Sequence, residues 1–261
     1  MLIKAAAVQC RVGKRLTLEE KLHIFKRRPD FICLPEYSLI DSSVPDFLRA
    51  ALTVRENLQY LKNLSNDFAA CLIGGSVVEA EGDSLYNSSY LFDCGMEIGR
   101  YRKLNPVSGE VNKGILPGDK LFVIDVDDVR IAVLICADAL NIGLFEVLGT
   151  KDVDIIFIPT TSPYRPGESK SEKRKRDEDI YLAGAQRADA YLVKTCAVGT
   201  LFGKPLQGRS LIAAPWGILE RVNYYSEANE CLLTAILDIE ELREFRRKKK
   251  YQRFRLANSG E

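Results

Sequence analysis

Cys136 stands where an apolar strand, Val129-Arg130-Ile131-Ala132-Val133-Leu134-Ile135, stops abruptly at Cys136-Ala137-Asp138. A strand ending this way presents a thiol at the rim of a sheet. Rigid strands hold nucleophiles well there, and the next backbone N–H can face a developing negative charge. Taken alone, a cysteine is more often a packing residue, so its company decides. Phe31-Ile32-Cys33-Leu34-Pro35-Glu36 is a second buried strand, ending on a carboxylate. Lys103 follows another predicted strand, and Glu110 sits in the loop Val107-Ser108-Gly109-Glu110. A thiol, a base and an ammonium, each at a strand end, are what amide hydrolysis needs when histidine is missing. It is missing here. The chain has one histidine, His23, expected on the solvated side of a helix with the capping box Thr17/Glu20 and the apolar stripe Leu18, Leu22 and Phe25. A Cys–His or Ser–His hydrolase is therefore not expected, and histidine metal clusters are excluded. A carboxylate in water has a pKa near 4 and is a poor base for a thiol near 8.5. Burial and a neighbouring ammonium must close that gap.

The elements that would hold these residues alternate along the chain. Strands are predicted over 3–9, 31–34, 70–77, 88–92, 131–135, 154–158 and 190–195. Helices are predicted over 17–28, 44–66, 143–148, 177–189 and 239–250. The intermixing, with no linker or compositional break, argues for one α/β domain over 1–261. The 261 residues are 46% hydrophobic and 28% charged, enough for a substantial core. Lys plus Arg (37) nearly cancels Asp plus Glu (36), so no global field points to nucleic acid or membrane. No apolar run approaches a membrane span of about 18 residues. Seven cysteines without a C-x-x-C pair give neither a disulfide framework nor a zinc site, and fit a reducing cytoplasm. The mixed-sign run 168–179 is expected to be a solvated loop or exposed helix start. The basic run 243–255, in a C-terminal tail from about 239, is expected to be exposed or to pack on a partner subunit. Gly199–Pro205 lacks the spacing and hydroxyl of a phosphate loop.

Taken in order, these segments resemble the nitrilase, or carbon–nitrogen hydrolase, superfamily. Ala7-Val8-Gln9, Leu34-Pro35-Glu36, Gly74-Gly75-Ser76, Tyr86-Asn87, Tyr101-Arg102-Lys103, Glu110, Pro117-Gly118, Ile135-Cys136-Ala137-Asp138, Gln186-Arg187-Ala188, Gly208-Arg209-Ser210 and Pro215-Trp216-Gly217 carry the resemblance over nearly the whole chain. It implies a four-layer α-β-β-α sandwich, a homodimer or higher homo-oligomer, and no cofactor or metal. It also implies a Glu36–Lys103–Cys136 triad. Glu36 would be the base, Lys103 and the Ala137 N–H would bind the oxyanion, and Glu110 would position Lys103 and the substrate. Ala137, Asp138, Thr161 and Ser162 are the expected substrate contacts, with Asp138 alternatively orienting the nucleophile turn. The chain departs from commoner members at Asn105, where many amidases have histidine, and in Ala139–Glu146, which lacks the usual arginine, aromatic and proline residues. The expected activity is hydrolysis of a small carboxamide or N-carbamoyl compound. A nitrile is the alternative substrate. The same residues would also suit an acyltransferase, and the same fold would also suit an inactive scaffold.

Overall fold

The computed structural model describes residues 1–258, with side chains as far as Gln252. Along the chain, β1 (Leu2–Gln9), β2 (Phe31–Cys33), β3 (Cys71–Ile73), β4 (Val77–Glu81), β5 (Ser84–Asp93), β6 (Met96–Arg102) and β7 (Ile115–Leu116) build one sheet. A second sheet holds β8 (Phe122–Val126), β9 (Val129–Val133), β10 (Ile155–Thr160) and β11 (Tyr191–Cys196). After a separate hairpin, β12 (Gly199–Leu201) and β13 (Lys204–Leu206), the strands β14 (Leu211–Ala214) and β15 (Gly217–Arg221) complete that sheet. The last strand, β16 (Cys231–Asp238), returns to the first and pairs antiparallel with the whole of β1. Each sheet has three parallel strands at its heart, β1-β2-β3 and β9-β10-β11, flanked by antiparallel ones.

Alternation along the strands explains how the layers stack, because successive side chains leave a strand on opposite faces. Ala5 and Ala7 of β1, with Phe31 and Cys33 of β2, face Ile131, Val133 and Phe157 of the second sheet. The Phe31 and Phe157 rings lie 5.7 Å apart across that seam. The intervening Ala6, Val8 and Ile32 point the other way, against Ile24 of helix α1 (Leu18–Arg27). Two helices follow, α2 (Phe47–Ala51) and α3 (Val54–Phe68), and α3 adds Leu61, Leu64 and Phe68 to that outer layer. Behind the second sheet lie Phe145 and Leu148 of one helix (Ile142–Thr150) and Ala185 and Ala188 of another (Ala183–Ala188). The result is an α-β-β-α sandwich. Each fully buried Leu or Phe contributes about 1.5–3 kcal/mol, so the seam and the two outer layers together hold the strand ends rigid.

Several local expectations are corrected. The Thr17/Glu20 capping box is present and His23 is exposed, but the inward residue of α1 is Ile24. Leu18, Leu22 and Phe25 face out. The 44–66 helix is broken between α2 and α3, and the 70–77 strand is broken by Gly74-Gly75-Ser76. The strands β8, β14, β15 and β16 escape sequence detection. In β16 most residues are only half-buried, which blurs the two-residue alternation. The 168–179 run does begin an exposed helix, Lys170–Asp177, yet Lys173 and Asp177 are buried. The 239–250 stretch is not a free tail. It is the start of helix Ile239–Asn258, whose Arg243 and Arg246 pair with buried Asp154. Arg253, Phe254 and Arg255 of the basic run lie outside the described side chains. Among the described residues no helix is long and apolar enough to cross a membrane.

Candidate active site

The parallel strands of both sheets deliver their ends to one place. Glu36 lies just past β2, Cys136 just past β9 and Thr161 directly after β10. Lys103 directly follows β6, and its backbone N–H donates to Asn87 O at 2.9 Å. Ligand sites in open α/β sheets form at these strand ends, where the backbone turns away and leaves a crevice. Here the crevice is a cavity of about 370 Å³ lined by Glu36, Lys103, Glu110 and Cys136, with Ala137, Thr161 and Ser162 on its wall.

Within it, three charges are almost fully withdrawn from water: Glu36 is 1% exposed, Lys103 2% and Glu110 5%. The Lys103 Nζ donates to Glu36 Oε1 at 2.8 Å and to Glu110 Oε2 at 2.7 Å. Asn87 Nδ2 donates to both carboxylates, at 2.9 and 2.8 Å. Glu36 Oε2 accepts from the Thr161 backbone N–H at 2.9 Å and from its hydroxyl. Glu110 accepts further from the Tyr37 hydroxyl at 2.7 Å and the Val107 N–H at 2.8 Å. Burial opposes charge on Lys103, but Glu36, Cys136 and Glu110 outweigh it and raise its pKa. Burial likewise opposes charge on Glu110, yet Lys103 and the Tyr37 and Val107 donors hold its pKa below the usual carboxylate value. Charges left in an apolar interior persist only when paired and hydrogen-bonded in this way.

Cys136 is half-buried, and its Sγ lies 3.4 Å from Thr161 O. Burial and then the negative charge of Glu36 push its thiol pKa well up, with Lys103 acting in the opposite direction. Its backbone is left-handed, φ +47°, where β-strand Val129–Val133 gives way to a single 3₁₀ turn over Cys136–Leu140. Non-glycine residues rarely occupy this region and do so where surrounding structure over-determines them. Asp138 supplies that constraint. It is fully buried, and its carboxylate accepts from Tyr101 Oη, the Ile135 N–H, and the backbone and side chain of Asn105. Of the two expectations for Asp138, these four donors favour its orienting the nucleophile turn, and it is not among the residues that line the cavity. Asn105, where a histidine is commoner, belongs to the same brace.

Sequence reasoning missed other wall residues. Tyr37 has the left-handed φ of +54° directly after Glu36, and no pattern in the chain announces it. Tyr181 sits in a π-helical turn, Glu178–Leu182, inside a stretch that reads as ordinary helix. Arg176 and Arg209 also line the cavity. Arg176 was hidden in a run that looks solvated, and Arg209 appeared only within a motif match.

Residues 4–247 match the carbon–nitrogen hydrolase family. An omega-amidase of Homo sapiens is 25% identical over 205 residues, covering 73% of this chain and 70% of that protein. A nitrilase of Pyrococcus abyssi is 29% identical over 187 residues, covering 70% and 65%. Among solved structures, a carbon–nitrogen hydrolase from Helicobacter pylori superposes with TM-score 0.82 at 20% identity, covering 97% of this chain and 95% of that one. An amidase from Nesterenkonia sp. gives 0.74 at 16% identity, covering 97% and 96%. The match over nearly all of its length, on a sandwich of the same architecture, makes this chain a member of the carbon–nitrogen hydrolase family.

Proposed function

We propose that the protein hydrolyses the C–N bond of a small carboxamide or N-carbamoyl compound through an acyl-enzyme on Cys136. The observation that carries this is the meeting of Glu36, Lys103 and Cys136 in one small cavity, with Glu36 and Lys103 both close enough to shift the thiol's pKa. A thiol held neutral needs its base at hand in the same step. Glu36 accepts the Sγ proton as sulfur attacks the carbonyl carbon. The oxyanion that forms is met by the Lys103 ammonium and the Ala137 N–H. Collapse breaks the C–N bond, and the proton on Glu36 leaves with ammonia or amine. Water, deprotonated by Glu36, then attacks the thioester and releases the acid and the thiol. Glu110 and Asn87 position Lys103 and Glu36. Thr161 and Ser162 contact substrate, and residues 1–261 act as one domain. The same reading includes a homodimer or larger homo-oligomer in the cytoplasm.

The nitrilase among the relatives favours a second substrate, a nitrile, which would give a thioimidate at the same sulfur. Intact mass and peptide mapping after incubation with a panel of amides, carbamoyl amines and nitriles separate these readings. An acyl adduct confined to Cys136 with ammonia or amine release is expected from amides. Release only from nitriles would move the assignment to that class, and no adduct or turnover with any compound would leave only the inactive scaffold.

A further inference from the structure

The hydroxyl and ammonium donors nearest Cys136 are already committed. Lys103 holds Glu36 and Glu110, the Thr161 hydroxyl donates to Glu36, and the Tyr37 hydroxyl donates to Glu110 at 2.7 Å. A second tyrosine, Tyr181, lines the same cavity and is 6% exposed. Its hydroxyl has no hydrogen-bond partner among the described residues, and its oxygen is not sealed away from the cavity. Burial, and then Cys136, raise the Tyr181 pKa well above the ordinary phenol value, so this group keeps its proton and serves as a donor. A buried donor without an acceptor is unfavourable, and a ligand that supplies one relieves it.

The ring is held in an uncommon way. Lys194 is the one charged residue of β11, a central parallel strand, and it is fully buried. Its Nζ donates to Asp177 Oδ1 at 3.0 Å and sits 4.2 Å from the centre of the Tyr181 ring. Asp177 does not need Lys194 to balance its charge, because Arg221 at 2.8 Å and Arg209 at 3.4 Å are also in range. The contact peculiar to Lys194 is the one with the Tyr181 ring. An ammonium against an aromatic face is most strongly attracted where water is excluded.

We infer that the Tyr181 hydroxyl contacts the substrate, donating to an oxygen acceptor other than the scissile carbonyl, and that Lys194 is the positioning residue that fixes the ring. This rests on the proposed hydrolase function and adds a specificity-determining contact to it. In that reading the scissile oxygen is met by Lys103 and the Ala137 N–H, so Tyr181 reads a second polar group of the substrate, an ether, hydroxyl or carbonyl oxygen. A site built to bond such a group discriminates against the analogue that lacks it.

The test is calorimetric titration of the Cys136→Ala protein with two isosteric pairs of amides. Methoxyacetamide against butyramide puts the acceptor on the acyl side, and N-(2-methoxyethyl)acetamide against N-butylacetamide puts it on the amine side. In one pair the ether should bind about tenfold tighter than its alkyl partner, and that pair shows on which side of the bond Tyr181 lies. Tyr181→Phe keeps the ring and its contact with Lys194, and should erase the gap. Lys194→Met should narrow the gap, and adding Tyr181→Phe to it should remove only what remains, the non-additivity of a residue that acts through another. Lys194→Gln, which keeps a donor for Asp177 but no charge against the ring, should give the same result even where Lys194→Met loses stability. No gap in either pair, or a gap that survives Tyr181→Phe, would overturn the contact. A lower melting temperature with the full gap in both Lys194 variants would overturn the positioning role. Turnover of the four amides by the unmodified enzyme is read separately. A gap in binding with no ammonia or amine released would sink the hydrolase assignment and leave the Tyr181 contact standing. Release of either without a gap in binding would do the reverse.

Discussion

Lys103, Glu36 and Glu110 share one dry volume, with two carboxylates to one ammonium. Removing either carboxylate charge leaves a matched pair, whereas removing the ammonium leaves two buried negative charges facing each other. Glu36→Gln is therefore expected to fold with little loss of stability while lowering kcat by about 10²–10⁴-fold, the usual contribution of a positioned base. Lys103→Met should abolish turnover and also lose about 3–5 kcal/mol in denaturant unfolding, the range for a buried ion pair broken on one side. Equal stability losses in the two variants would show that the three charges do not act as a unit. Cys136 gives a second expectation. Its pKa is raised, so the thiol stays protonated below that raised value and the thiolate forms only in alkaline solution. Thiolate absorbance in the ultraviolet, taken as the difference between the protein and Cys136→Ser, should be absent at pH 7. A thiolate signal there would mean that Lys103 outweighs burial and Glu36, and that proton transfer to Glu36 is not needed in the first step.

At the scale of elements, the site depends on how strands end. Gly75 has φ +68°, and a Cβ built on it would lie 2.0 Å from Pro35 O, on the turn that carries Glu36. Only glycine permits that approach. Gly75→Ala should destabilise the protein by about 1–3 kcal/mol through overpacking and strain. It should also lower kcat in the protein that remains folded, because the Glu36 backbone must shift. Thermal melting and rates measured well below the melting point separate the two effects, and unchanged kcat would show that Glu36 tolerates the displacement. The π-helical turn over Glu178–Leu182 works in a similar way. It follows directly on Asp177 and brings Tyr181 to the cavity wall, which fits the frequent use of such turns at functional sites.

Across the whole molecule, a buried carboxylate is one of the groups that clamp helix Ile239–Asn258 to the sandwich, beside Asp152, Asp189 and the core residues Ile239 and Leu242. Asp154 pairs with Arg243 at 2.8 Å and with Arg246 at 2.9 Å, and accepts from the Arg130 N–H at 3.0 Å. Asp154→Ala leaves Arg246 buried without that partner, so a loss of about 3–5 kcal/mol is expected. Hydrogen exchange should quicken first in helix Ile239–Asn258. Exchange rising equally throughout the chain would show that the helix and the sandwich unfold as one unit. Turnover below the melting point should persist, since none of these groups lines the Cys136 cavity.

Strand and helix periodicity along the chain indicated an α/β domain, while the sandwich followed from the family resemblance that its motifs carry, with Glu36, Lys103, Glu110 and Cys136 as the candidate site residues. Strand periodicity and abrupt strand ends are local properties, and a nucleophile needs a rigid local mount. Tyr37, Asn87 and the brace of Asp138 by Tyr101 and Asn105 took shape only in three dimensions, because their partners lie far apart in sequence and meet where the sheets converge. The arginines of the cavity were hidden for the same reason. A chain whose charges almost cancel over its length brings Arg165, Arg176 and Arg209 to one cavity, and net charge carries no record of which side chains folding brings together.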